Sequence, residues 1–230
     1  MAASPRLKAL AFDAYGTLFD VYSVGALAEQ LFPGKGSELS ALWREKQIDY
    51  TRLRTQSGRY KPFLEITRDA LVFAGRKLGL PLDEPTLQQL MNQYACLSAF
   101  PENLQALREL KTLGLPMAIL SNGTPQMLDI AVKSAGMSGM FEHLLSVDAV
   151  KKYKTAPEAY QLGPSTFACK ASEILFVSSN CWDACGATWF GYTTFWINRT
   201  GQPLEELDVR PTAEGRLLTD VTDFVRTRLN

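Results

Sequence analysis

The sequence predicts an α/β fold: a doubly wound, Rossmann-like parallel sheet with a helical subdomain inserted after its first strand. Three observations carry this reading. Five compact apolar runs with β-branched or aromatic residues are spread along the 230 residues. From about residue 100 onward they alternate with helical patterns, as strand–helix–strand units do. Between the first and second runs lie about 75 residues with helical periodicity and no good strand, far too many for an ordinary βα connection.

Residues 7–12 (LKALAF) read as the first strand. Helical runs follow at 24–31, 38–54, 63–78 and 84–97, with turns at 33–36 (PGKG) and 56–58 (QSG). Asp83 is placed to cap the fourth run, and Pro85 is tolerated in its first turn. In 102–113, Leu104, Leu107 and Leu110 share one face before Gly114 stops the helix. Residues 116–120 (PMAIL) form the second strand, and a helix over 125–135 follows the turn SNGT and ends at Gly136. The remaining strands are 143–147 (HLLSV), 174–178 (ILFVS) and 193–197 (TTFWI), with a helix over 183–190 ended by Gly191. Such runs suit strands buried on both faces of a parallel sheet. Residues 1–20 and 99–230 then make the core domain, and 21–98 the helical cap subdomain.

Composition narrows the function. Lys and Arg total 24 and Asp and Glu total 24, so no basic excess points to nucleic acid or a membrane surface. An anionic small molecule needs only a local cluster of donors. The single histidine, His143, excludes a His-rich metal site and leaves a carboxylate or lysine as the base of any hydrolytic reaction. His143 opens an apolar strand and reads as structural; Trp189 and Trp196 read as core aromatics, and Trp182 as half core, half pocket. The cysteines at 96, 169, 181 and 185 form no C-x-x-C pair and read as buried or half-buried free thiols, which suit a reducing cytoplasm. The apolar start is broken at Asp13, unlike a signal peptide, and no stretch is long enough to span a bilayer.

Ligands of open α/β sheets bind beyond the carboxyl ends of the strands. There the sequence places Asp13, Tyr15, Gly16 and Thr17 after the first strand, and Ser121, Asn122 and Gly123 after the second. Lys154 comes after the third, and Ser178, Ser179, Asn180 and Asp183 after the fourth. Two carboxylates, a lysine and several neutral donors converge on one crevice, with the inserted helices as its roof and Arg44 as a contribution from them. Each residue also has a plain reading. Asp13 is a cap or turn residue, Lys154 a solvated charge, Arg44 part of a charged helix face, and Ser178 and Asn180 partners for strand-end backbone.

D-x-Y-G-T-L-F, S-N-G, the lysine and S-S-N-x-W-D together resemble the haloacid dehalogenase superfamily, and more narrowly its L-2-haloacid dehalogenases. AFDAYGTLFDVYSV, ALWREKQIDYTRLR, LSNGTPQMLD, HLLSVDAVKKYK, FVSSNCWDACGA and FWINRTG carry the likeness from about residue 8 to about residue 201. The resemblance implies a small anionic haloacid substrate and hydrolysis through a covalent ester. Asp13 would attack C2 and displace halide with inversion, oriented by Thr17 and Lys154. Asp183, paired with Lys154, would activate the water that cleaves the ester. Ser121 and backbone N–H groups beside Tyr15 would bind the substrate carboxylate, and Arg44 and Asn122 the departing halide. Tyr15, Ile48, Phe63 and Trp182 would wall the alkyl group, and Ser178 and Asn180 would line the catalytic site. The family's frequent homodimer is permitted by the apolar residues of 38–54 and 63–78.

The departures from the wider superfamily decide the chemistry. Its phosphatases resemble D-x-D after the first strand, where this chain has Tyr15, and G-D-x-x-x-D after the fourth, where it has Ser179 in place of the first Asp. Two carboxylates, Asp13 and Asp183, are too few for an octahedral Mg²⁺ site, so no metal and no cofactor are expected. Glu45 stands where the subfamily often has Gln, and Thr155 where it usually has Pro. The competing functions are a phosphatase with a degenerate metal site and a non-catalytic binding protein on the same scaffold.

Overall fold

The computed structural model describes residues 6–229. Residues 1–5, where the expected core domain and the non-signal start begin, and residue 230 at its other end lie outside the described residues. Six strands, β1 (Ala9–Phe12), β2 (Met117–Ser121), β3 (His143–Ser146), β4 (Ile174–Ser178), β5 (Thr193–Ile197) and β6 (Ala213–Gly215), form one parallel sheet. Their order is β3-β2-β1-β4-β5-β6, so the topology reverses between β1 and β4. A crevice at the carboxyl ends of those two strands follows from the reversal.

Strand β1 shows how alternation builds the core. Leu10 and Phe12 enter one apolar cluster, while Ala9 and Ala11 face the other, made bulky by Tyr160, Phe176 and Tyr192. β4 and β5 keep their expected bounds. β3 departs from the expectation of burial on both faces: it is an edge strand, His143 is exposed, and its ring meets Phe167 edge-on at 5.8 Å. Trp189 likewise is no core residue; it stands on the outer side of α8 (Cys181–Phe190) and is 57% exposed. Trp196 is buried. Cys96 is exposed and Cys185 buried, its thiol pushed up to about 12 by burial and by Cys181 one turn away.

The helical stretch after β1 holds α1 (Gly25–Leu31), α2 (Gly36–Gln56), α3 (Phe63–Lys77) and α4 (Glu84–Ala95). Asp83 caps α4, accepting the Thr86 N–H at 2.9 Å, with a proline in the first turn. α2 packs on α1 and α3, and α4 on α3 and α1. One apolar cluster runs from Leu10 and Phe12 through Tyr15 and Phe19 to Trp43, Phe63 and Tyr94. The Tyr15 ring stacks on Tyr94 at 5.7 Å and lies against Phe63 at 5.6 Å, joining sheet and helices.

Helices α5 (Asn103–Thr112), α6 (Pro125–Ser134), α7 (Pro157–Phe167) and α9 (Leu218–Leu229) complete the described chain with α8. β6 and α9 lie beyond the last element expected from sequence. Among the described residues no helix is long and apolar enough to cross a membrane.

Candidate active site

β1 ends at Phe12 and delivers Asp13 to the crevice. Gly16, at φ 93°, turns the chain back so that Thr17 faces Asp13. The Asp13 carboxylate is ringed by donors. Thr17 Oγ1 and Asn180 Nδ2 donate to Oδ2 at 3.0 and 2.8 Å, and Lys154 Nζ to Oδ1 at 3.0 Å. The Thr17 hydroxyl already accepts the Ser179 N–H at 2.8 Å, so its hydrogen is directed to Asp13. With two donors on Oδ2 and one on Oδ1, the less committed oxygen is Oδ1.

Lys154 follows the short helical turn after β3. Its side chain is 1% exposed, and Nζ bridges Asp13 to Asp183, whose Oδ2 lies 3.0 Å away. Burial alone would pull the ammonium down, but the charges of Asp13 and then Asp183 outweigh it and hold Lys154 above the ordinary lysine range. Asp183, in the first turn of α8, is wholly buried. Ser178 Oγ donates to its Oδ2 at 3.0 Å and Tyr160 to its Oδ1 at 2.7 Å. Burial raises its carboxyl above the usual range despite Lys154 and Tyr160.

Arg44 descends from α2. Its Nη2 donates to Tyr15 O at 3.1 Å and Asn180 Oδ1 at 3.3 Å, and its Nη1 to Gln47 Oε1 at 2.7 Å. Asp13, Asp183, Lys154 and Arg44 sum to zero formal charge. Glu45 does not disturb this balance: its side chain is 61% exposed and pairs with Lys46.

A small cavity of about 20 Å³ opens at this point. Asp13, Tyr15, Arg44, Ile48, Phe63, Ser121, Asn122, Asn180 and Trp182 line it, as does Thr51, which the sequence reading did not single out. Thr17, Lys154, Ser178 and Asp183 stand behind Asp13 and support it. Ser121 Oγ accepts the Gly123 N–H at 3.1 Å and keeps its own hydrogen to give. Asn122 Oδ1 accepts the Lys154 N–H at 3.1 Å, which leaves its Nδ2 as a donor. Among the described residues, the backbone N–H groups of Ala14 and Tyr15 find no acceptor. The cavity thus offers one carboxylate, a guanidinium and several unspent donors, a set suited to an anion that carries a leaving group. A groove of about 800 Å³ adjoins it and shares Arg44, Asn180 and Trp182.

Tyr160 and Gln47 also escaped the sequence reading. Tyr160 lies six residues beyond Lys154 in the first turns of α7, a position whose contact with Asp183 only the fold reveals. Gln47 was legible in principle, because a residue three places after Arg44 shares its helical face.

The site does not suit a cation. The Lys154 ammonium already bridges the two carboxylates, and Tyr15 and Ser179 occupy the positions where further acidic ligands would stand. Among the described residues no group of three His, Cys, Asp or Glu is placed to hold a metal.

The haloacid dehalogenase-like hydrolase family matches this chain over residues 7–191. The chain is 49% identical to an (S)-2-haloacid dehalogenase of Pseudomonas sp. (strain YL), over 96% of its own length and 95% of the relative's. A crystal structure of an L-2-haloacid dehalogenase superposes with TM-score 0.95 at 63% identity, covering 96% of this chain and 99% of that one. The Xanthobacter autotrophicus L-2-haloacid dehalogenase with chloropropionic acid covalently bound gives TM-score 0.91 at 36% identity, covering 96% and 98%.

Proposed function

The chain belongs to the haloacid dehalogenase-like hydrolases, and on that footing we propose that it hydrolyses short L-2-haloalkanoic acids to D-2-hydroxyacids and halide. The observation that carries this is the Asp13 carboxylate, fixed on the cavity wall by Lys154, Thr17 and Asn180 with Arg44 on the same cavity. Ser121 and the Ala14 and Tyr15 N–H groups bind the substrate carboxylate. Tyr15, Ile48, Phe63 and Trp182 enclose the alkyl group. Asp13 Oδ1 attacks C2 in line with the carbon–halogen bond and the halide leaves, inverting C2. Negative charge passes from Asp13 to the halide, where Arg44 and Asn122 receive it.

Water then attacks the carbonyl carbon of the Asp13 ester and gives its proton to Asp183, whose carboxyl burial raises above the ordinary aspartate range. Asp183 returns that proton to the departing alkoxide, the alcohol leaves with its configuration unchanged, and the Asp13 carboxyl loses the water's second proton to solvent and is restored as a carboxylate. Ser178 and Tyr160 hold Asp183 for this step. The phosphatase alternative lacks the acidic ligands it needs, since Lys154 occupies the space between Asp13 and Asp183.

Helices α1 to α4 act as the cap over the cavity. Leu53, Leu64 and Phe73, exposed on α2 and α3, supply the apolar face for a homodimer. The four free thiols fit the reducing cytoplasm. Halide release from a panel of L- and D-2-chloropropionate tests the function. Chloride and D-lactate are expected from the L enantiomer; no halide from either, or product of retained or mixed configuration, overturns it.

A further inference from the structure

Gln47 is fully buried in α2, and every polar atom of its amide is engaged. Its Oε1 accepts from Arg44 Nη1 at 2.7 Å and from the Tyr94 hydroxyl at 3.1 Å. Its Nε2 donates to Thr67 Oγ1 at 2.7 Å, and that hydroxyl in turn donates to Phe63 O at 2.7 Å. The direction of the chain is forced. Arg44 has only donors, so the amide oxygen must face it and the amide nitrogen must face Thr67. Three cap helices therefore meet at one side chain: α2 through Gln47, α3 through Thr67 and α4 through Tyr94.

The consequence falls on Arg44. Its guanidinium is held at Nη1 by Gln47 and at Nη2 by Tyr15 O and Asn180 Oδ1. A donor held at both ends stabilises developing charge without reorganising as the charge appears. A poor leaving group draws most on that stabilisation, because more of its departure must be assisted. A good leaving group needs it least.

We infer that Gln47 is a positioning residue for Arg44 and sets how poor a leaving group the enzyme accepts. This rests on the dehalogenase reading above. It goes further by placing halide range in the amide network of the cap as well as in the residues around the halide. A residue that merely satisfies buried helix polarity would affect all halides alike.

The test compares kcat/KM for L-2-chloro-, L-2-bromo- and L-2-iodopropionate, which reports steps up to halide loss and is blind to later ester hydrolysis. In Gln47→Met the chloride-to-iodide ratio of kcat/KM is expected to fall about tenfold, the scale of one lost hydrogen bond to a charged group. Tyr94→Phe, which removes only the second donor to Gln47, should move the ratio the same way by about two- to threefold, and keeps the test alive if Gln47→Met folds poorly. Equal losses for the three substrates, or an unchanged ratio in a folded variant, overturn the inference while the function stands. A wild type that releases none of the three halides overturns the function itself, and the inference with it.

Discussion

The Tyr160 hydroxyl donates to Asp183 Oδ1 at 2.7 Å, while Lys154 holds the other oxygen of the same carboxylate at 3.0 Å. The Asp183 backbone carbonyl lies 3.1 Å from the same hydroxyl and shares its single hydrogen. Burial drives the Tyr160 phenol far above its ordinary value, with the Asp183 charge adding to it, so the group remains a donor throughout the working range.

Tyr160→Phe should therefore cost about 1–2 kcal/mol of stability, the usual price of depriving a buried acceptor of its donor. It should also shift the acid limb of activity upward, because the Tyr160 bond is one of the forces lowering the Asp183 carboxyl. Thermal melts and a pH–rate profile check both.

The wild-type pH profile follows from two raised groups. Asp183 must be ionised to accept a proton, and its carboxyl is raised, so activity should fail on the acid side above the ordinary aspartate value of about 3.9. Lys154 is also raised. The stability it contributes is fully present below about 10.4, its unfolded value, and is lost only as pH climbs through the higher folded value. Ester hydrolysis rates and melting temperatures across pH 4–11 should show a displaced acid limb and no Lys154-dependent loss before about pH 10.

Oxygen labelling separates nucleophile from base. In a single turnover with excess enzyme in H₂¹⁸O, the hydroxyacid should be largely unlabelled and the label should sit in Asp13, within the peptide of residues 11–19. Direct attack by water predicts labelled product and an unlabelled peptide. Asp183→Asn should accumulate the Asp13 ester, seen as added mass on the same peptide.

Chelation should leave halide release unchanged, and added Mg²⁺ should not raise it, because the Lys154 ammonium already sits between the two carboxylates that would bind the ion. Loss of activity in EDTA that Mg²⁺ restores would place a metal at this site.

Much of this arrangement was legible because strand ends are informative. Asp13, Ser121, Ser178 and Asn180 each end or follow a run of apolar residues, and a parallel sheet gathers such positions on one edge. β4 and β5 were legible to the residue because β-branched and aromatic residues dominate both runs. β6 was not, since Ala213-Glu214-Gly215 carries no strand pattern and gains its place by pairing with β5. Trp189 misled because a large aromatic reads as core, yet α8 presents it outward. Arg44 needed the resemblance, as a lone arginine in WREKQ looks like a surface charge. Tyr160 acts through a contact between α7 and α8, which sequence order does not record.

Position 15 carries a consequence for how the molecule comes apart. Because the Tyr15 ring packs against Phe63 of α3 and Tyr94 of α4 inside one apolar cluster that also holds Leu10 and Phe12 of β1, residues 21–98 cannot detach without exposing the apolar surface they share with the sheet. Heating should thus give one calorimetric transition, with van't Hoff and calorimetric enthalpies in agreement, and residues 21–98 expressed alone should lack a cooperative melting transition. Hydrogen exchange in α3 and α4 would then report the same opening free energy as exchange in β1.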